Sequence, residues 1–547
     1  MKSKLYRNLA LVLAIIIAMS TFSMTSCEIL DDIIASLESE GGNDTLEPML
    51  DPTDDNYRTF YHIFVGSFSD GTNDGIGDLR GIINRMDYLN DGDINNGNDL
   101  GVQGIWLSPI FSSPSYHKYD TKDYYTIDWR FGMESDLVEL VNLCHERNVK
   151  LIIDLAINHT SNQHPWFLEF KEAHQNGDTS NKYYNYYTWT TLAGQKNNKT
   201  YQKIAGIDCY YEANFTGDMP ELNFDNPEVR EEMLNVAKYY LDLGVDGFRF
   251  DAVKYIYFNE GASKNAKFWE WYMSELRAVN PDIYCVGECW SGDNEVIQYY
   301  GAMNCFNFTV AQAEGIVANA AKGQSISTYL SYMESYQDKV QAANPNGMMS
   351  AFLSNHDTNR IAGTFILEGN MRIAANLYLL AHGSPFIYYG EEIGMKGSRG
   401  SEATDANRRL AMLWGDGDRI SNPIGSTYPS DKQIQTTVAD QLEDPNSLLS
   451  HYAKLINIRT RYPAIARGDY NAVTSSNRNF GGFYVDYQGE TIGIFHNTSV
   501  NELTIDLSRC SGLDGHTFTQ LLEAVGGSAT LDGTVLTIAA QTSVIVK

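Results

Sequence analysis

The sequence predicts an α/β chain built on a (β/α)8 barrel, with a small domain inserted after the third strand and an antiparallel β-sandwich at the C-terminus. Three observations carry this reading. Eight short apolar runs rich in β-branched and aromatic residues alternate with helix-length amphipathic segments, the pattern of βα units around a parallel sheet. Three of these runs close on an acid: Asp251, Glu288 or Asp357. After Tyr462-Pro463 the pattern changes to short alternating strands with turns, as in residues 481–499, and this reads as a separate antiparallel unit.

In chain order the runs are TFYHIFVGSF (59–68), GVQGIWLSPI (101–110), VKLIIDLAIN (149–158), VDGFRFDA (245–252), DIYCVGECW (282–290), MNCFNFTV (303–310), MMSAFLSNHD (348–357) and SPFIYYGEEIG (384–394). Between the third and fourth lies a long interval, Asn158 to Val245. It holds a polar, Asn- and Tyr-rich stretch at 171–203 and then a predicted helix at about 227–243. So long a gap inside a βα connection reads as an inserted domain. The barrel is assigned to residues 56–158 and 216–462, the insert to 159–215 and the sandwich to 463–547.

A chain of 547 residues with 43% hydrophobic content can bury a large core. Its formal charge of −29, from 69 Asp and Glu against 40 Lys and Arg, repels polyanions, which argues against nucleic acid as a partner. A neutral polymer is indifferent to that field, and the 35 Tyr and 8 Trp offer flat faces for sugar rings to stack on. Most of those aromatics are core.

The N-terminus carries Lys2, Lys4 and Arg7, then the apolar run Leu9 to Met19, then small residues up to Met24-Thr25-Ser26-Cys27. That is the pattern of a signal peptide over residues 1–26, too short to span a membrane. Small residues directly before a cysteine resemble the bacterial lipobox, which implies cleavage before Cys27, lipidation of its sulfur and tethering outside the cytoplasm to a bacterial membrane. The alternative is an ordinary secreted protein with Cys27 removed or idle. Residues 28–55 are acidic and read as a spacer. The other cysteines, Cys144, Cys209, Cys285, Cys289, Cys305 and Cys510, show no zinc or redox spacing, and few or no disulfides are expected.

A (β/α)8 barrel delivers its working side chains from the C-terminal ends of successive strands. Cleaving a glycosidic bond with retention needs one carboxylate to attack the anomeric carbon and a carboxylic acid roughly 5–5.5 Å away to protonate the leaving oxygen. Asp251 follows Arg249 by two, so both point to one face of the fourth strand, where the guanidinium keeps the aspartate ionised. Glu288 closes the fifth strand beside Trp290, where partial desolvation would hold its proton. Asp357 has His356 beside it and could hold sugar hydroxyls. A lone acid at a strand end is more often a helix cap or a surface ion pair; three in one set argue otherwise. The third strand ends in Asn158 and His159, with Asp154 bracing the loop, and His159 could donate to a hydroxyl. After the second strand, PSYHKYD (114–120) offers Tyr119 as a stacking platform, with His117 and Asp120 for hydroxyls.

The motifs DLAINH, MPELN (219–223), GFRFDAVK, GECW and SNHD, with the early SFSDGTNDGIGDL (67–79) and the late RLAMLW (409–414), resemble the α-amylase family of glycoside hydrolases over residues 56–460, in the family's order. The resemblance implies Asp251 as nucleophile, Glu288 as acid/base and Asp357 as transition-state stabiliser. It implies Arg249, His159, His356, Tyr119 and His117 as contacts around the cleaved bond, with Asp120, Lys254 and Arg360 beside them. It also makes the insert the family's B domain. Ala252 and Lys254 after the nucleophile resemble enzymes that cut α-1,4 bonds. Tyr255 stands where many relatives have histidine, and Glu221 replaces an aspartate, which leaves the leaving-side subsites and any metal site between barrel and insert open.

Asp70, Thr72, Asp74, Ile76 and Asp78 place oxygens at alternate positions of a glycine-rich loop, the hard donors that Ca2+ prefers. The segment resembles the family's calcium loop, with Ile76 acting through its carbonyl; a metal-free turn is the alternative. The expectation is therefore a lipid-anchored extracytoplasmic monomer, α-amylase-like and endo-acting on starch-like glucans and maltooligosaccharides. It would carry structural Ca2+ and no organic cofactor. Alternatives are an exo-acting α-glucosidase or transglycosylase and, in a different class, a non-catalytic glucan-binding surface protein, which predicts a missing carboxylate.

Overall fold

The computed structural model describes residues 55–93, 97, 99–365, 367–401 and 403–547. Each of the eight runs contributes one strand to a single parallel sheet. These are β1 (Phe60–Ile63), β2 (Gly104–Leu107), β3 (Lys150–Leu155), β4 (Gly247–Phe250), β5 (Tyr284–Gly287), β6 (Asn304–Phe306), β7 (Met349–Ser350) and β8 (Phe386–Tyr388). The order is β7-β6-β5-β4-β3-β2-β1-β8, and a parallel bridge between Phe352 and Phe386 joins the two ends into a barrel. The strands are shorter than the runs that announced them. Apolar character persists past each strand end because the loops there are buried too.

Strands buried on both faces read as continuous apolar stretches rather than alternating ones, and here both faces are covered. Inside the barrel Phe60, Trp106, Ile152, Tyr284, Val286, Phe306, Phe352 and Phe386 form one cluster. Phe60 occupies the place of a side chain at position 104, where a Cβ would meet its ring at 2.4 Å, so only glycine fits there. Outside, helices such as Glu134–Glu146, Pro227–Asp242 and Ala262–Val279 pack around the sheet. The helix expected at about 227–243 begins with Asn226, whose side chain accepts from Glu228 N–H, and has Pro227 in its first turn, two features that set a helix start.

Between β3 and β4 lie the helix Pro165–Asn176 and a three-stranded antiparallel sheet formed by Trp189–Thr190, Tyr210–Glu212 and Tyr201–Lys203. After the helix Leu448–Arg461 the chain builds β9 (Asp469–Thr474), β10 (Phe480–Tyr487), β11 (Glu490–Asn497), β12 (Leu503–Asp506), β13 (Leu521–Val525), β14 (Ala529–Asp532), β15 (Val535–Ile538) and β16 (Thr542–Val546). They form a five-stranded sheet, β9-β10-β11-β16-β13, and a three-stranded one, β12-β15-β14. Val473, Phe480, Phe495, Leu536, Ile538 and Val544 are buried in one cluster there. Asn376 ties this unit to the barrel by donating to Val525 O at 3.2 Å and to Ser543 Oγ at 2.9 Å. The six cysteines from Cys144 to Cys510 are free thiols, all but Cys510 buried. The signal peptide, Cys27 and the acidic spacer up to residue 54 lie outside the described residues.

Candidate active site

The site is organised around Arg249, whose side chain is fully buried on β4. Register places it beside Asp154 of β3 and Val286 of β5. Its Nη1 lies 3.0 and 3.1 Å from the two oxygens of Asp154 and 2.5 Å from Asp251 Oδ1. Its Nη2 is 3.8 Å from Glu288 Oε2. One guanidinium thus lies within ion-pair distance of both acids that end β4 and β5, which brings them to the same end of the barrel.

Glu288 is anchored through its backbone, N–H to Phe250 O at 2.9 Å and C=O to Val253 N–H at 3.0 Å. Burial pushes its carboxyl up to about 7; Arg249 opposes this, while Asp251 and Asp357 add to it. Asp357 shows the opposite balance. Burial favours its proton, but His356 Nε2 at 2.8 Å and Arg409 Nη2 at 2.9 Å outweigh burial and hold the carboxyl well below the usual range. A carboxylate on a guanidinium beside a carboxyl that holds its proton near neutrality is the pair that double displacement at a glycosidic carbon requires.

The flanking residues gather at the same end of the barrel. Tyr119 donates its hydroxyl to Asp154 Oδ2 at 2.8 Å, lies 2.7 Å from His356 Nε2 and stacks on that imidazole at 5.3 Å between centroids. His159 Nε2 is 3.2 Å from Tyr119 O. His117 Nδ1 lies 3.2 Å from Tyr119 N, and Asp120 accepts from Ser113 at 2.8 Å and from Ser115. Lys254 donates to Trp290 O at 2.6 Å. Arg360 stands apart: it is buried, donates to Tyr389 O at 2.6 Å and Arg408 O at 3.1 Å, and lies over the rings of Tyr388 and Tyr389. Its charge is spent on the wall behind β8, and among the described residues its hydrogen-bond partners are backbone carbonyls.

Sequence reasoning passed over Arg409 and Phe215, which the fold brings to the site. Arg409, known beforehand only as the first letter of RLAMLW, bridges Asp357, His356 O at 3.0 Å and Tyr116 Oη at 3.2 Å. Phe215 from the insert lies tilted against Tyr255 at 4.6 Å between centroids, and Tyr255 stacks with Phe258 at 4.7 Å. Trp290 stacks with Phe308 at 4.8 Å. Phe215 and Trp290 are both more than 40% exposed, a desolvation-ready surface for a sugar ring. Glu221 is buried and accepts from Asn158 and, at 3.1 and 3.2 Å, from Asn214; burial, then Glu212, pushes it up to about 8.

In the Asp70–Asp78 loop the oxygens are already engaged. Asp70 accepts from the N–H groups of Asn73, Asp74 and Gly75. Asp78 accepts from Gly71, Gly81 and Thr72 N–H and from Thr72 Oγ1. Among the described residues no three His, Cys, Asp or Glu side chains converge as a metal cluster.

Barrel and site together define a glycosidase. A family model described as alpha amylase, catalytic domain, matches residues 62–468. Alpha-amylase 3 of Dictyoglomus thermophilum is 36% identical over 454 residues, covering 82% of this chain and 86% of that one. The oligo-1,6-glucosidase of Bacillus cereus is 29% identical over 523 residues, covering 82% and 91%. The solved structure of Eubacterium rectale Amy13B superposes with a TM-score of 0.83 at 32% identity, covering 92% of this chain and 97% of that one. The chain belongs to the α-amylase family of glycoside hydrolases.

Proposed function

We propose that the protein hydrolyses α-1,4-glucosidic bonds in starch-like glucans and maltooligosaccharides, with retention, and that it cuts internally. The observation that carries the reading is the shared guanidinium: Arg249 touches Asp251 and Glu288 together. In the first displacement an Asp251 oxygen attacks the anomeric carbon while Glu288 gives its proton to the leaving oxygen, and the departing sugar takes the bonding pair. In the second, Glu288 removes a proton from water, the water oxygen attacks the same carbon and Asp251 leaves as carboxylate. Asp357 accepts from sugar hydroxyls, held ionised by His356 and Arg409, and Tyr119 lies beneath the ring. His117, His159 and His356 surround that ring. Ala252 and Lys254 support the α-1,4 preference through the family resemblance.

The test is a time course of products from amylose, pullulan and an end-blocked maltooligosaccharide, using wild type and Asp251→Asn. Rapid internal cutting of the blocked substrate, abolished in Asp251→Asn with binding intact, is the expected result. Substantial residual hydrolysis would reassign the nucleophile. The likeness to an oligo-1,6-glucosidase favours, as the second reading, an exo-acting enzyme, which would leave the blocked substrate untouched.

Two further assignments belong to the same reading. Ca2+ is held by Asp70, Asp74 and Asp78 with Thr72 Oγ1 and the Ile76 carbonyl; the all-oxygen donor set supports it, and the four hydrogen bonds already made to Asp78 weigh against it. Its role is structural. Cys27 carries a lipid that tethers the enzyme outside the cytoplasm, and Cys27→Ala should move the protein from the membrane fraction to the soluble one.

A further inference from the structure

Lys118 stands between two residues of the site, His117 and Tyr119, with φ of +67° and 2% of its surface exposed. Both facts are unfavourable for a lysine. The left-handed region suits glycine, and a buried ammonium needs a partner. The partner is Asp128, equally buried, whose Oδ2 lies 2.7 Å from Lys118 Nζ. Asp128 is itself fixed: its N–H donates to Ile110 O at 2.8 Å, just beyond β2, and its carboxylate accepts from Arg130 Nε at 2.9 Å and Nη2 at 3.1 Å.

We propose that the Lys118–Asp128 ion pair is a positioning device for the reaction, holding the left-handed turn that aims Tyr119 at Asp154 and His356. The assignment rests on the functional reading above. Tyr119 is gripped at its hydroxyl end by Asp154 of β3. Its backbone end is gripped by the turn, whose Lys118 N–H also donates to Ser115 Oγ at 3.2 Å and whose Tyr119 carbonyl faces His159. Without the ammonium the strained φ is left to the bonds that Ser115 and His117 accept from the turn, and residues 114–120 relax towards ordinary backbone geometry. The ring then leaves its register with the acids. Lys118 touches no substrate; it acts through Tyr119.

The test places Lys118→Met and Lys118→Arg in the wild type and in a Tyr119→Ala background. Lys118→Met should lower kcat/KM on a maltooligosaccharide by about tenfold or more in the wild type, but by less than about threefold in Tyr119→Ala, because its effect passes through that ring. Lys118→Arg should restore most of the loss. Hydrogen–deuterium exchange of residues 114–120 should rise about tenfold in Lys118→Met while the barrel strands stay protected. If the methionine variant does not fold, Asp128→Asn, which removes the partner charge while the left-handed Lys118 stays in place, is expected to show the same exchange and kinetic pattern. Equal losses in both backgrounds, or unchanged exchange at 114–120, would overturn the proposal. A wild type inert on α-1,4-glucans would overturn the substrate reading instead, and the exchange measurement would still decide this one.

Discussion

The backbone N–H of Ala252 donates to Oε2 of Glu288 at 3.0 Å, so the residue that follows Asp251 in the chain holds the acid of the neighbouring strand. Ala252 reaches it from a left-handed backbone, φ +49°. With Oε2 serving as acceptor, Oε1 is the oxygen we assign to carry the proton of Glu288.

That proton sets the alkaline limit of activity. Glu288, raised by burial to about 7, works in the first step as an acid, so kcat/KM should fall as pH rises through about 7. Asp357 is one of the negative charges that raise it. Asp357→Asn should therefore lower the midpoint of Glu288 titration, followed by the NMR signal of its 13C-labelled carboxyl. A midpoint that stays or rises would refute the coupling.

Arg409 is expected to matter as much as a residue nearer the cleaved bond. Its fork serves Asp357, the His356 carbonyl and Tyr116 at once, and a charged hydrogen bond of this kind is worth ~1.5–3 kcal/mol. Arg409→Met should reduce kcat/KM by about 10- to 100-fold. Arg409→Lys should recover little, because a compact ammonium lacks the planar fork that spans these three acceptors. Steady-state kinetics on a maltooligosaccharide decide this.

Glu391 makes stability depend on pH. It is buried behind β8, accepts hydroxyls from Tyr378 at 2.8 Å, Tyr452 at 3.1 Å and Ser354 at 3.0 Å, and is pushed by burial from 4.5 up to about 7. The folded state holds this proton more tightly than the unfolded chain. The contribution is fully present below 4.5 and is lost as pH rises through 7, about 3 kcal/mol in all at ~1.4 kcal/mol per pH unit. Glu391→Gln keeps the acceptor without the charge, so its Tm advantage over wild type should be larger at pH 8 than at pH 5. Equal differences at both pH values would contradict the linkage.

Chelation separates the two readings of the Asp70–Asp78 loop. If calcium is bound there, EGTA should lower Tm by several degrees, an effect absent in Asp74→Ala. A melting curve indifferent to EGTA and to added Ca2+ would leave the loop as a turn held by its own backbone donors.

The barrel was legible because parallel strands buried on both faces leave unbroken apolar runs, and the acids because each ends such a run. Arg249 was legible through the two-residue period that sets it beside Asp251. Arg409 was not, because it meets Asp357 only when the loop after β8 folds back. Arg360, three residues beyond Asp357, looked equivalent to its neighbours in sequence, yet its buried guanidinium turns to backbone carbonyls instead of the acids. Lys118 was hidden for another reason: a lysine between His117 and Tyr119 gives no hint that its backbone is left-handed or that its ammonium is interior.

The segment between β3 and β4 supplies none of the three acids. Its reach towards them runs through Glu221, which holds Asn158 at the foot of His159, and through the ring of Phe215. Bond breaking and grip are thus written in different stretches of chain. A lineage could exchange residues 165–215 and acquire a new taste in glucans while its chemistry stayed untouched, because Glu221, the acceptor for Asn158, lies outside the exchanged stretch.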